Sequence, residues 1–232
     1  VTFGSLFAGI GGGMSVLTFD PTAHEYSIDE QRVPSVTEVL SRTGLTNFDH
    51  IPEPYRRAAL NRGRRVHKAA HYLAEGSLDW STVSEDDKPY IESCAGFLAA
   101  GKVRFDFLER QLFHVARRYA GTCDGGGWWD GQFALVDWCC GDLWESAKDL
   151  QTAGYAEALR VTPPPEWPDF APSEAALRRG VGIVRLGVRL LKSGAIAQPE
   201  PYRDPQDFDR FAAALAVTWE QERRGVKRKK VA

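Results

Sequence analysis

No stretch of this chain approaches the roughly 18 consecutive apolar residues that a membrane-crossing helix needs, so no membrane span is expected. A charged leader with an apolar run and a cleavage site is also missing, so no secretion signal is expected. Cysteine is scarce. The four residues Cys94, Cys123, Cys139 and Cys140 make no CxxC pair and no zinc spacing. Neighbours 139 and 140 would point to opposite faces of a strand and do not bridge usefully. A reduced, cytoplasmic thiol inventory is the expectation. The chain also lacks an excess of either charge. It has 29 Lys and Arg against 31 Asp and Glu, a net charge of −2, so no overall basic field advertises nucleic acid. No internal repeat stands out.

What is present is ample apolar material, 43% of 232 residues, enough for one domain with appendages or two small ones. The charge is uneven. Arg56, Arg57, Arg62, Arg64, Arg65 and Lys68 cluster in one stretch, and Arg223, Arg224, Lys227, Arg228, Lys229 and Lys230 in the tail. The plainer reading of such runs is a solvated face and a tail. Residues 1–13, VTFGSLFAGIGGG, differ in character from the rest. Residues 3–13 resemble the opening motif of cytosine-5 DNA methyltransferases, where a strand feeds a cofactor-holding glycine turn. The Pro-Cys dipeptide and later motifs of that family are absent, and a glycine run alone is a weak signal. The expectation is therefore an extension or fusion remnant at 1–13, a single domain over 14–222, and a basic tail at 223–232.

The chain is organised around residues 119–141, YAGTCDGGGWWDGQFALVDWCCG. Asp130-Gly131 is a strong hairpin signal, because a type I′ turn needs φ > 0 at both central positions. With that turn as the loop, residue i faces residue 261 − i, which sets Asp124 opposite Asp137 and Thr122 opposite Cys139. Asp124, Asp137 and Cys139 are then expected on one face. Two like charges so placed repel unless a cation sits between them. Oxygen ligands of this kind suit Mg²⁺ or Mn²⁺.

Around the hairpin, residues 17–28 read as strand, turn at Asp20-Pro21, strand. Ser35 and Glu38 form a capping box for Val36–Arg42. Residues 52–76 are the longest helical pattern, kinked near Gly63, with His67, Ala70, His71 and Ala74 on one face. His67 and His71 at i,i+4 are a possible chelating pair, though packed histidines are commoner. Residues 78–83 form a loop, and Ser84 caps a helix with Tyr90, Ile91, Cys94, Phe97 and Leu98 inside. Residues 105–116 form a long strand carrying Glu109, read as an exposed strand glutamate rather than a third acid. Residues 145–159 are a helix, 161–172 a proline-rich linker, 180–191 and 194–202 a second hairpin turning at Ser193-Gly194. Asp204 caps the last helix, with Pro205 at its first position and Phe208, Phe211, Ala212, Leu215 and Trp219 buried. The order gives an α/β (α+β) fold with a mixed central sheet, a β-meander and flanking helices.

On helix 145–159, Lys148, Gln151 and Tyr155 fall at i, i+3 and i+7 and point the same way. Two carboxylates, an amine and polar neighbours suit metal-assisted hydrolysis. Trp128 and Trp129 are suited to sheet packing and, less directly, to stacking on unpaired bases.

Four segments in order, Gly63-Arg-Arg-Val-His67, Ala120-Gly-Thr-Cys-Asp124, Val136-Asp-Trp-Cys-Cys-Gly141 and Gln151-Thr-Ala-Gly-Tyr155, resemble the PD-(D/E)XK nuclease superfamily in its RecB-type, often phage-encoded, exonuclease branch. The resemblance covers about residues 15–220. It implies a restriction-endonuclease-like core and cleavage of a DNA phosphodiester with Mg²⁺ or Mn²⁺. It assigns metal binding to Asp124 and Asp137, with His67 as a further ligand or support, and a strand-facing or bracing role to Gln151 and Tyr155. Arg62, Arg64, Arg65 and Lys68 would neutralise DNA phosphates. A bacterial or phage-infected cytoplasm and a recombination or replication partner follow from the same resemblance.

One position departs from that pattern. The lysine of Asp-x-Lys belongs at 139, where this chain has Cys139. A thiol supplies no positive charge to offset a phosphate. Three readings follow: Lys148 restores the amine from the helix; the protein is a slow or inactive nuclease fold that binds nucleic acid or a partner; or Cys139 is a lesion in an otherwise ordinary enzyme.

Overall fold

The computed structural model describes residues 3–8, 14–101, 103–141, 147–162 and 182–226. Among the described residues, two sheets and five α-helices make a mixed α/β fold. Four short strands form an antiparallel meander: β1 (Phe3–Ala8), β2 (Met14–Asp20), β3 (Glu25–Ile28) and β4 (Gln31–Val33). The five-stranded sheet runs β5 (Val103–His114), β6 (Tyr119–Trp129), β7 (Gln132–Cys139), β8 (Ile183–Arg189), β9 (Gln198–Tyr202). Only β7 and β8 are parallel, which makes this sheet mixed. The expected mixed sheet is present, and β5, β6 and β7 are its expected meander. The N-terminal strands stand apart as a sheet of their own.

Helices cover the larger sheet on both faces. On one side α1 (Val36–Arg42), α4 (Lys148–Val161) and α5 (Asp207–Arg223) bury Val39, Leu150, Leu159 and Phe211 against Phe133 and Leu135. On the other, α2 (Glu53–Glu75) and α3 (Lys88–Ala99) bury Val66, Ala70, Ile91 and Phe97 against Ala134, Val136 and Trp138. The alternation along β7 separates the two cores, as period-two geometry demands. The small sheet packs Leu17, Tyr26, Ile28 and Val33 on Phe113 and Ala120. The Ala120 N–H donates to the Pro34 carbonyl at 3.2 Å, tying it to β6.

Several local expectations hold. Asp130 and Gly131 have φ of 48° and 76°, the type I′ turn, and the register follows 261 − i from Trp129–Gln132 to Gly125–Val136. Ser35 Oγ accepts from the Glu38 N–H at 3.0 Å, and the Glu38 carboxylate pairs with Arg32 and Arg42. Others do not hold. Helix α2 runs unbroken through Gly63, whose arginine- and alanine-rich neighbours outweigh the ~1 kcal/mol a helical glycine costs. Residues 80–82 form a short 3₁₀ turn within the expected loop. Helix α3 begins at Lys88, not after Ser84; Ser84 lies in the preceding turn, its carbonyl accepting from the Asp87 and Lys88 N–H groups. Helix α5 begins at Asp207, with Asp204 accepting from the Gln206 N–H at 2.9 Å just ahead of it. The second hairpin exists, but residues 190–197 join its strands in place of a tight turn at 193–194. The tail's Arg223 ends α5 and Arg224 follows it, both paired with Glu220. Strand β1 pairs antiparallel with β2. The glycines at 11–13, residues 163–172 of the proline-rich linker and residues 227–232 of the tail lie outside the described residues.

The glycine run after Asp124 has a steric cause. A β-bulge at Asp106 drives β5 against β6, so a Cβ on Gly126 would stand 2.3 Å from the Phe107 ring and one on Gly127 1.9 Å from the Arg104 carbonyl oxygen. The second contact is with backbone and cannot be relieved by a rotamer. Gly127→Ala should therefore unfold at clearly lower urea than Gly131→Ala. Gly131 has open space around it and only its φ of 76° to strain. Overpacking costs of about 1–3 kcal/mol set the lower bound for Gly127→Ala. Equal urea midpoints would contradict the steric account.

Candidate active site

The hairpin ladder does not reach the two aspartates. Its last pair is Gly125–Val136. Beyond it β7 continues with β8, while β6 continues with β5, where Thr122 pairs with Gln111 rather than Cys139. Asp124 occupies the parting. Its Oδ2 accepts the Trp138 N–H at 2.8 Å, a group a continuing ladder would have used. The strand also changes face here. Cys123 belongs to the core under α4, whereas a Cβ on Gly125 would meet Phe105 and Leu108. Glu109, which stands opposite Asp124 between the pairs Leu108–Gly125 and Arg110–Cys123, has φ of 48°, a left-handed strand residue that lets both chains turn over together.

The expected common face of Asp124, Asp137 and Cys139 is therefore corrected. Asp137 meets α4. Its carboxylate is ion-paired with the Lys148 ammonium and accepts from the Gln151 amide at 3.2 Å. The same amide nitrogen donates to the Tyr155 hydroxyl at 3.1 Å. All four side chains are buried, Asp137 at 1% exposure and Lys148 at 7%. The i, i+3, i+7 stripe of α4 thus converges on one carboxylate. Asp124 instead meets α2, with His67 Nδ1 at 3.3 Å from Oδ2. The Tyr155 ring crosses to Gly121, where a Cβ would lie 2.7 Å from it, so that glycine clears space for the tyrosine.

The acids act on one another across the parting. Burial pushes the Asp137 carboxyl up to about 6 against the pull of Lys148, and the charge of Asp124 adds to the push. Burial also opposes ionisation of Asp124. The His67 cation, its hydrogen bond, Lys148 and the Trp138 N–H outweigh that burial and hold Asp124 below the usual carboxylate range. Burial disfavours the His67 imidazolium too, yet the Asp124 charge holds its pKa above the ordinary value. Lys148 is held above its ordinary value because Asp137 offsets the cost of burial. Glu109 joins this group. Its side chain is open to solvent on one side, but desolvation at its carboxyl, then the charge of Asp124, pushes it up to about 7. The sequence alone presents it as an exposed strand glutamate; only the strand pairing brings it opposite Asp124.

The remaining expected site residues are dispersed. His71 turns to Glu75 at 3.4 Å, so His67 and His71 form no chelating pair. Arg65 is bound to Asp87 by two hydrogen bonds, at 2.6 and 3.0 Å, and Arg62 lies over the Tyr90 ring. Both hold α2 to α3. Lys68 lies over Tyr72, and Arg64 is exposed. Trp128 packs edge-on to Phe133, and Trp129 packs with the core under α2 and α3. Cys139 is buried at the end of β7.

The donor types are those a hard divalent cation takes: carboxylates of Asp124, Asp137 and Glu109, with one imidazole. Burial first, and the charge of Asp124 after it, raises Glu109 and Asp137. Among the described residues, no three His, Cys, Asp or Glu side chains converge into a metal-ligand cluster, and the Lys148 ammonium holds the Asp137 carboxylate. No helix among the described residues is long and apolar enough to cross a membrane. In comparisons with known proteins, no family model matches the chain and no curated protein matches it.

The desolvated Glu109 carboxyl makes a pH prediction. Glu109 rises from 4.5 to about 7, so between those values the folded chain keeps a proton that the unfolded chain has released. Its contribution to stability therefore falls as pH rises through that window. Glu109→Gln should melt at a higher temperature than the parent at pH 8 and at the same temperature near pH 4. A difference that does not grow with pH would contradict this assignment.

Proposed function

We propose that this protein is a metal-dependent DNA nuclease of the PD-(D/E)XK, RecB-type kind, in which Lys148 stands in for the lysine replaced by Cys139. The observation that carries this reading is the Lys148 ammonium on the Asp137 carboxylate, reached from α4 rather than from β7. A sheet of the order β5-β6-β7-β8-β9 with a helix between β7 and β8 is consistent with a restriction-endonuclease-like core. The order of Gly63–His67, Gly121–Asp124, Asp137 and Gln151–Tyr155 along the chain supports the same assignment.

Asp124 and Asp137 would hold Mg²⁺ or Mn²⁺, with His67 supporting Asp124. The ion would supply an activated water and charge neutralisation at phosphorus. Lys148 offsets phosphate charge from a dry position, where a fixed ammonium acts more strongly than in water. Gln151 orients the Asp137 carboxylate through one N–H and is itself braced by Tyr155. We assign an exonuclease activity on DNA, a bacterial or phage-infected cytoplasm, and a recombination or replication partner, as the resemblance implies. A second reading, a catalytically inactive fold that binds nucleic acid or a partner, is favoured by the absence of an assembled ligand cluster among the described residues.

End-labelled single- and double-stranded DNA with Mn²⁺ separates these readings. The parent should cut, and Asp137→Ala should not. Lys148→Ala should lose roughly 100-fold or more, the usual cost of one charge-stabilising donor. Cys139→Lys should cut at least as fast as the parent. An unchanged rate in Lys148→Ala would remove the substitute-lysine role. DNA binding without cutting, by both the parent and Cys139→Lys, would favour the inactive fold.

A further inference from the structure

The turn between β2 and β3 carries a group of rings that the proposed chemistry does not use. Phe19 is stacked on Tyr26 at 4.7 Å, and His24 stands edge-on to Phe19 at 5.3 Å and to Tyr26 at 6.0 Å. Tyr26 is buried and shares a 2.7 Å hydrogen bond with Thr122 Oγ1, two residues along β6 from Asp124. This bond holds the ring group at the rim of the acid pair. Phe19 is half-buried and His24 exposed. His24 has φ of 54°, a backbone conformation that side-chain-bearing residues seldom adopt and that concentrates at functional surfaces.

Arg64 is near enough to His24 for its charge to act on the ring, and shares α2 with His67, which meets Asp124. It lies one helical turn before His67 on α2, is exposed, and forms no hydrogen bond or ion pair among the described residues. Its neighbours differ: Arg56 and Arg57 share Glu53, and Arg65 holds Asp87. Desolvation of the ring face against Phe19 and Tyr26, then the charge of Arg64, lowers the His24 pKa and favours the neutral imidazole beside the guanidinium. The rim therefore presents a neutral ring surface and an available cation, next to carboxylates suited to phosphodiester hydrolysis.

We propose that the β2–β3 turn and Arg64 seat an unpaired stretch of DNA at the entrance to the site, with Arg64 on a phosphate and the His24 and Phe19 rings on a base. Bases within a duplex are stacked on one another and offer no free face, whereas single-stranded DNA is held by aromatic platforms beside cations. The substrate class is thus single-stranded DNA or a frayed end. The inference rests on the nuclease reading for its substrate, but its test needs no cleavage.

Binding of a labelled single strand, and of the same sequence as a blunt duplex, is measured by fluorescence anisotropy in EDTA with the full chain. His24→Gly keeps the left-handed backbone and removes the ring. Arg64→Gln removes the charge. His24→Gly should weaken single-strand binding about tenfold, the order of one lost base–ring stack, and leave duplex binding and melting temperature unchanged. Arg64→Gln should weaken single-strand binding and reduce its salt slope by about 0.7, one phosphate contact. No single-strand binding by the parent, unchanged binding in His24→Gly, or equal losses for both DNA forms would each overturn the proposal. Cutting that Asp137→Ala abolishes, with binding indifferent to His24→Gly, would leave the nuclease reading standing and this one fallen. The reverse pattern would do the opposite.

Discussion

The parting of β6 from β7 just past Gly125–Val136 is the constraint on which the rest of the site depends. A continuous ladder would satisfy the Trp138 N–H with a backbone carbonyl and leave no room for charge. With the strands apart, that N–H needs another acceptor, and Asp124 supplies one. Asp137 is then buried on the other side of the gap, where an isolated carboxylate would be costly. The Lys148 ammonium and the Gln151 amide make that burial tolerable. Such a pair is poor evidence for stability, since well-packed apolar groups often serve as well. Its retention in the core, beside two further acids, is what a site with a charged reactant would need.

The distribution of helices follows from the same gap. Helix α4 brings Lys148, Gln151 and Tyr155 to Asp137 from one face, while α2 brings His67 to Asp124 from the other. The acids are thus addressed from both layers and meet only where the sheet is open. Glu109 takes part because β5 follows β6 through its change of face, at the cost of a left-handed residue within a strand. Backbone strain and crowded negative charge occur together at this point, a combination that stability alone does not favour.

The basic stretch at 56–68 illustrates how composition misleads. Read as a run, it is a cationic patch. In the fold its members diverge around a single helix. Arg65 and Arg62 fasten α2 to α3, Arg56 and Arg57 pair with Glu53 on the same helix, and Arg64 is left exposed at the rim. Net charge and spacing along the chain carry no information about which of these environments an arginine meets.

The type I′ hairpin, the Ser35 cap and the convergent face of α4 were legible in the sequence because each depends on residues a few positions apart. Turn chemistry at Asp130-Gly131 fixes local dihedral angles, and helical periodicity fixes which residues of α4 share a direction. The same arithmetic extended along β6 failed at Asp124. The continuation of a ladder depends on what the neighbouring strands offer, and β8 and β5 took the two partners away from each other. The bulge at Asp106, the place of Glu109 opposite Asp124 and the approach of the N-terminal rings to the rim are likewise non-local. The sequence by itself determined the elements and the residues aligned on each. The tertiary structure alone decided which of those residues meet, because contacts between strands distant in the chain are set by packing of the whole sheet.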